Sequence, residues 1–378
     1  MRTLLSRPSI RGQLSSTTPI SVRRMATLEV LAQRFADFSR HCTPRAPLYA
    51  HLSLAASHDP SAQQLLQHAP EEQQIPVLFF AAVHHLLLSG LGAELAAHYP
   101  NLSAHRPDGD PAPAFHAFVR DHSEQIAELV RSRSTQTNEV GRCAQFLPPF
   151  GILEREVGAL AHVDVGTSAG LNLLLPRYQY HFEPGGVVGG QSAVSIVCAT
   201  KGSVPVPQAM PRIVNSVGLD ASPISVLDDD EVRWLEACVW PDQADRFARL
   251  VAAIELARQA PPDVRKGDAV DSLDGLIDEG SAFGHPVVTN SWVLNYLSSA
   301  RRADYVTELD RIGSSVDFSW VIAESPAAAP GLPVPTTDPP EDITVITLVR
   351  WRNGVRSIER LGTSHPHGYW VRWESAIR

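Results

Sequence analysis

Two hydrophobic rhythms divide the chain. From Leu28 to about residue 150, apolar residues recur at helical spacing. Leu28, Leu31, Phe35 and Phe38 share one face, and Phe115, Phe118, Val119, Ile126 and Leu129 lie on or near one face of the stretch 112–130. Proline and glycine at Pro100, Pro107, Gly109, Pro111 and Pro113 punctuate these helices, and no strand pattern appears among them. After Pro148-Pro149 the rhythm changes. Short β-branched runs at 161–165, 212–219, 263–266, 285–290 and 316–323 alternate with helical stretches from 171 onward, at 230–259 and at 296–312. This alternation predicts βαβ units on a parallel sheet. Three alternating strands follow at 344–351, 355–361 and 369–373, with Asn353-Gly354 as a hairpin turn, and the hairpin is expected to close the sheet. The expected fold class is α/β. A doubly wound, Rossmann-like, cofactor-binding domain at 151–378 follows an all-helical region at 28–150.

Residues 1–27 are set apart. Arg2, Arg7, Arg11, Arg23 and Arg24 stand among serines and threonines, with no acid before Glu29. The stretch fits a disordered leader, a transit peptide or an upstream start before Met25, and it carries no weight in the fold argument.

Charge narrows the partners. A formal net charge of −9 disfavours nucleic acid and anionic membrane, which need a concentrated basic face. The longest apolar cluster, 77–91, is broken by His84 and His85 and reads as a buried helix, not as the ~18-residue run a membrane span needs. Cys42, Cys143, Cys198 and Cys238 form no C-x-x-C pair, so reduced thiols are expected in place of a disulfide framework or a metal site. The expectation is a cytoplasmic protein that takes a small-molecule substrate.

The segment 161–172 reads as strand, tight turn and helix start. Small residues there let the backbone approach a ligand, and the helix N-terminus is expected to offer unpaired N–H groups. Asp164, Gly166, Ser168 and Gly170 fall at the spacing acid-x-Gly-x-small-x-Gly, which resembles the first motif of class I S-adenosylmethionine-dependent methyltransferases. The dinucleotide fingerprint G-x-G-x-x-G does not fit, because Ser168 and Leu171 take its later glycine positions. The same residues also spell G-x-S-x-G, the nucleophile elbow of α/β-hydrolases, and His365 and His367 follow in the required order. A hydrolase needs several strands before its elbow, whereas here a long helical region precedes it.

The methyltransferase resemblance implies S-adenosylmethionine as cofactor and an acid after the second strand to hold the ribose hydroxyls. Asp220 fits, although it lies 54 residues past Gly166 where about 20 is usual. Glu183 competes, but a strand pattern at 178–182 would leave the first helix almost no length. Asp268 is the candidate for the adenine amino group, with a plain helix cap as the alternative. Asn290, Ser291 and Trp292 end the fourth strand, where Asn290 and Ser291 can orient an acceptor and Trp292 can stack on the cofactor or join the core. In His365-Pro366-His367 either imidazole can serve as a general base. The polar cluster Arg131, Arg133, Gln136, Thr137, Asn138, Glu139 and Arg142 is either a solvated face or a lid over the pocket. His365, Asn290 and Glu139 are the expected catalytic residues, and no metal is expected. Trp240-Pro241-Asp242-Gln243 reads as packing, and the Pro-rich stretch 324–340 leaves no helix after the fifth strand.

Taken in order, Gln136-Thr137-Asn138-Glu139 with Arg142, the turn 165–172, Gly218-Leu219-Asp220, 239–243 with Arg246, Gly267-Asp268-Ala269, 291–296 and His365-Pro366-His367-Gly368 resemble a bacterial family, domain-of-unknown-function family 2332, over about residues 30–375. Members often carry His before the Ser/Thr-Trp pair, where this chain has Asn290. The family implies no established reaction. Three functions follow as expectations: a methyltransferase acting on a small molecule, a serine hydrolase using Ser168, and a non-catalytic ligand-binding protein of the same fold.

Overall fold

The computed structural model describes residues 26–334 and 343–374. The expected leader up to residue 25 lies outside the described residues, as does 335–342 of the Pro-rich stretch. Ala26 and Thr27 belong to the helical region instead. The Ala26 carbonyl accepts from Gln67 Nε2 at 2.8 Å, and Thr27 caps the first helix by accepting the Val30 N–H.

Seven helices among the described residues build the N-terminal region: α1 (Leu28–Cys42), α2 (Pro47–Ser57), α3 (Pro60–Leu66), α4 (Pro76–Leu88), α5 (Ala93–Ala96), α6 (Ala112–Asp121) and α7 (Ser123–Ser132). Pro47, Pro60 and Pro76 stand first in their helices, where a missing N–H breaks no bond. α4 is buried on nearly every side, and Phe79 and Phe80 pack against Phe35, Tyr49 and Phe115. His84 stays inside because Nδ1–H donates to the Ala237 carbonyl at 3.1 Å and Nε2 accepts from Asn101 at 2.9 Å. Burial pushes its pKa down to about 4, so it is neutral near pH 7. Trp234, from the second half, completes this core.

The second half begins with α8 (Cys143–Val157), which runs through Pro148 and Pro149. The expected boundary near 150 therefore falls inside a helix. Each interior proline costs roughly 3 kcal/mol. Burying Phe146, Leu147, Phe150 and Leu153 against the sheet returns about 1.5–3 kcal/mol apiece, which outweighs the loss.

One sheet follows, with strands β1 (Leu160–Val165), β2 (Gln179–Glu183), β3 (Gly186–Val188), β4 (Ser195–Lys201), β5 (Ile213–Asp220), β6 (Val264–Lys266), β7 (His285–Ser291), β8 (Phe318–Glu324), β9 (Thr344–Arg352), β10 (Val355–Ser364) and β11 (Trp370–Trp373). Their spatial order is β3-β2-β4-β11-β10-β9-β8-β7-β1-β5-β6. The run from β6 to β8 is parallel. α8, α9 (Asp229–Ala237) and α10 (Ala244–Gln259) join the core on one face, and α11 (Leu273–Ser281) and α12 (Ser299–Gly313) join the core on the other. β1 and β8 are buried at every position, and the polar residues of β1, His162 and Asp164, are held inside by hydrogen bonds. Strand order reverses between β1 and β7, and this opens a crevice at their carboxyl ends.

Four features differ from the sequence expectation. The helix after the glycine turn is a short 3-10 helix, Leu171–Arg177, ended by the non-donating Pro176 and a strand at once. The following insert supplies β2, β3 and β4, which extend the far edge of the sheet through β11 and account for the long gap between Gly166 and Asp220. The β9–β10 hairpin, with Asn353 at φ 51°, lies inside the sheet and does not close it. Finally, α11 was hidden by Gly275 and Gly280, which dilute its apolar stripe.

Candidate functional site

The turn after β1 is fixed from below. Thr167 Oγ1 donates to Asp164 Oδ2 at 2.7 Å and Thr289 Oγ1 donates to Asp164 Oδ1 at 2.6 Å, so this buried acid ties β1 to β7. His162 Nε2 lies 2.8 Å from Thr289 Oγ1 and extends the chain of bonds. Gly166 has φ 79°, and a Cβ there would lie 2.2 Å from Val293 Cγ1. Gly170 has φ 74°, and its Cβ would meet Val264 at 2.5 Å. Both positions require glycine on conformation and on space. Ser168 also takes φ 56°, uncommon for a residue with a side chain.

The turn does not present the open N–H cradle expected of it. Gly166 and Thr167 donate to the Leu219 carbonyl, Ser168 N–H donates to Asp220 Oδ2 at 2.7 Å, and Leu171 N–H donates to Asn138 Oδ1 at 3.1 Å. The turn is a backbone wall against which a ligand can lie, not an anion seat.

That wall bounds a cavity of about 550 Å³ at the carboxyl ends of β1, β5 and β7 and beyond β6. The volume falls within the range typical of small-molecule and cofactor sites. Gly166, Ser168, Asp220 and Asp268 line it. Asp220 is braced at both oxygens, since Oδ1 accepts the Ser222 N–H at 2.8 Å and Oδ2 the Ser168 N–H. Asp268 Oδ1 accepts the Val270 N–H at 2.8 Å and pairs with Arg301, so it does cap a turn while facing the cavity. Glu183, the competing acid, is exposed at the end of β2 and takes no part in the cavity. Gly170 packs behind the turn, and Asp164 lies beneath it.

The three expected catalytic residues are not brought together in the cavity. Asn290 is fully buried: Nδ2 donates to the Val165 carbonyl at 3.0 Å, and Oδ1 accepts from Tyr305 at 2.9 Å and Trp320 at 2.7 Å. Its oxygen is taken by two donors and the residue does not reach the cavity. Glu139 forms buried ion pairs with Arg246 and Arg249 and accepts the Gly141 N–H at 2.9 Å. Burial alone would raise its pKa, but Arg246, Arg249 and His367 hold it at about 2. His365 lies outside the lining; its Nδ1 accepts the His367 N–H at 3.0 Å. His367 is the imidazole that reaches the cavity. Burial, with Arg246 and Arg142 adding to it, pushes its pKa down to about 2, so the ring is neutral.

The polar cluster before β1 divides. Gln136, Thr137 and Arg142 line the cavity, and Ser168 Oγ donates to Gln136 Oε1 at 3.0 Å. Arg131 and Arg133 instead pair with Glu128 and Asp230 outside it. Trp240 and Gln243, read from sequence as packing, also face the cavity, as do Ser291 at the end of β7 and Trp292 and Tyr296 after it. Trp292 takes φ 55° and donates Nε1–H to Thr344 Oγ1 at 2.6 Å. Arg45, Gln73, Ile75 and Val77 of the helical region form the roof. No periodicity marks these four, because they are loop and helix-end positions assembled only by the packing of one half on the other.

Behind the site, buried Glu324 ends β8. Its Oε1 accepts the N–H groups of Val293 and Leu294 at 2.8 and 3.1 Å, while Oε2 has no partner. Burial pushes its pKa up to about 7. No group of metal-ligating side chains occurs among the described residues, and no described helix is long and apolar enough to cross a membrane.

Residues 32–373 match the family described as Uncharacterized protein conserved in bacteria (DUF2332), and the chain belongs to that family. No curated protein and no solved structure matches it.

Proposed function

We propose that this chain, a member of that bacterial family, is an S-adenosylmethionine-dependent methyltransferase acting on a small molecule. The observation that carries the reading is Asp220. It ends the strand next to β1, faces the cavity beside the glycine turn, and is braced so that each carboxylate oxygen keeps a further lone pair for a vicinal diol. The residues fit the cofactor in other ways. Gly166 lines the cavity where a sulfonium-bearing chain would lie, with Val293 filling the side a Cβ would take, and Asp268 Oδ2 accepts no bond from a described residue. The N–H groups of Gly166, Thr167, Ser168 and Leu171 are already donating, which suits a ligand without phosphate. The parallel order β6-β5-β1-β7-β8 supports a Rossmann-like, methyltransferase-type sheet.

When bound, the cofactor supplies a methyl group already activated on sulfur. The protein's own part is positioning. Asp220 orients the ribose, the turn sets the depth of the chain, and Gln73 and Ile75 in the roof, with Trp240 beside them, exclude water. His367 lines the cavity as a neutral imidazole; its lowered pKa makes it a weak base, so its part is to orient an acceptor by hydrogen bonding.

Isothermal titration of the full chain with S-adenosylmethionine tests this. Saturable one-site binding that Gly166→Asp abolishes is expected, and absence of heat with the wild type overturns the reading. A serine hydrolase is the second reading, favoured by the φ of 56° at Ser168. Against it, the hydroxyl donates to Gln136, and no strand precedes β1 among the described residues. Labelling of Ser168 by a fluorophosphonate probe would support the hydrolase.

A further inference from the structure

Arg142 is a buried cation that no carboxylate contacts directly. It is only 7% exposed, yet forms no ion pair with any described residue. Nε donates to the Pro366 carbonyl at 2.8 Å and Nη1 to the Ser291 carbonyl at 2.9 Å. These two bonds fix the guanidinium plane across the gap between the C-terminal loop and the end of β7. Nη2 has no partner among the described residues, and the residue lines the cavity. Glu139 acts on it only at a distance, and its two oxygens bind Arg246 and Arg249 directly. Glu324 is mostly protonated below about pH 7 and already holds two backbone N–H groups. The acids that line the cavity, Asp220 at the end of β5 and Asp268 in the loop after β6, lie on the far side of the glycine turn. An unpaired buried charge is costly, and a planar guanidinium with a free edge matches a carboxylate.

We infer that Arg142 is the seat for the carboxylate of a small ligand in this cavity. Trp292, Tyr296 and neutral His367 supply the apolar and aromatic walls beside it. The carboxylate can belong to the methyl acceptor or to the amino-acid end of the cofactor. That division rests on the methyltransferase reading; the seat itself does not.

The test uses benzoate, with benzamide as its uncharged counterpart, titrated into the full chain with and without saturating S-adenosylhomocysteine. Benzoate is expected to bind at least tenfold more tightly than benzamide and to lose at least tenfold in Arg142→Met. The benzamide comparison needs no variant, so it decides the matter even if Arg142→Met fails to fold once its two carbonyl tethers are gone. Benzoate binding that persists beside S-adenosylhomocysteine places the carboxylate on the acceptor. Displacement of benzoate, together with weaker S-adenosylhomocysteine binding in Arg142→Met, places it on the cofactor. Equal affinity for benzoate and benzamide, or no binding of benzoate, overturns the seat even where S-adenosylmethionine binds. Arg142-dependent benzoate binding with no heat from S-adenosylmethionine keeps the seat and removes the methyltransferase.

Discussion

Glu139→Gln separates a structural acid from a catalytic one. The carboxylate is 4% exposed and holds Arg246 and Arg249 together beneath the cavity. Its pKa falls from an ordinary 4.5 to about 2 although burial opposes the shift. At ~1.4 kcal/mol per pKa unit, ionisation favours the folded state by about 3 kcal/mol. Because the folded value is the lower one, that stabilisation is complete above about pH 4.5 and is lost as pH falls toward 2. Glutamine keeps the shape and a bond to the Gly141 N–H but leaves two guanidiniums in a dry site without an anion. Breaking a buried pair in this way costs about 3–5 kcal/mol. Urea unfolding followed by tryptophan fluorescence should show that loss at pH 7, and the gap between wild type and variant should narrow below pH 4. A variant with wild-type stability at pH 7 but no ligand turnover would refute this reasoning and return Glu139 to the catalytic role its sequence position suggested.

Three further outcomes are expected. Glu324 has a pKa raised from 4.5 to about 7, so its contribution to stability is present below pH 4.5 and fades as pH rises through 7. Glu324→Gln should therefore be more stable than wild type at pH 8 by up to about 3 kcal/mol and equal to it near pH 4.5; lower stability at pH 8 in a denaturation series would contradict the sign. Gly166→Ala puts a Cβ 2.2 Å from Val293 at a φ of 79°, and should cost about 2 kcal/mol in thermal unfolding, whereas a neutral result would mean that the turn is loose. Asn290→Ala strands the Tyr305 and Trp320 donors, so it should lose roughly 2–4 kcal/mol of stability with ligand affinity nearly intact; loss of affinity at full stability would show that Asn290 does touch the ligand.

Much of the site was legible because backbone demands leave marks on the sequence. Gly166 and Gly170 need positive φ and close approach, and Asp220 ends a strand, so the turn and its acid are marked in the sequence. The parallel strands were legible because complete burial selects β-branched runs. What stayed hidden was mostly non-local. The insert β2–β4 pairs with the last strand of the chain, and no local pattern encodes that register. Asn290 and Glu139 looked catalytic because they are polar residues near the crevice, yet their charges and dipoles are spent on core partners far away in sequence. His367 rather than His365 faces the cavity because the first imidazole turns back to cap its own loop, a choice that His365-Pro366-His367 alone cannot reveal. The roof residues Arg45, Gln73, Ile75 and Val77 belong to a different core and carry no motif.

A crystal structure of the chain with S-adenosylhomocysteine tests the central claim most directly. The ribose hydroxyls should lie within hydrogen-bond distance of Asp220, with the sulfur beside Gly166. Density for the ligand anywhere else, or an empty crevice at saturating concentration, would contradict the account.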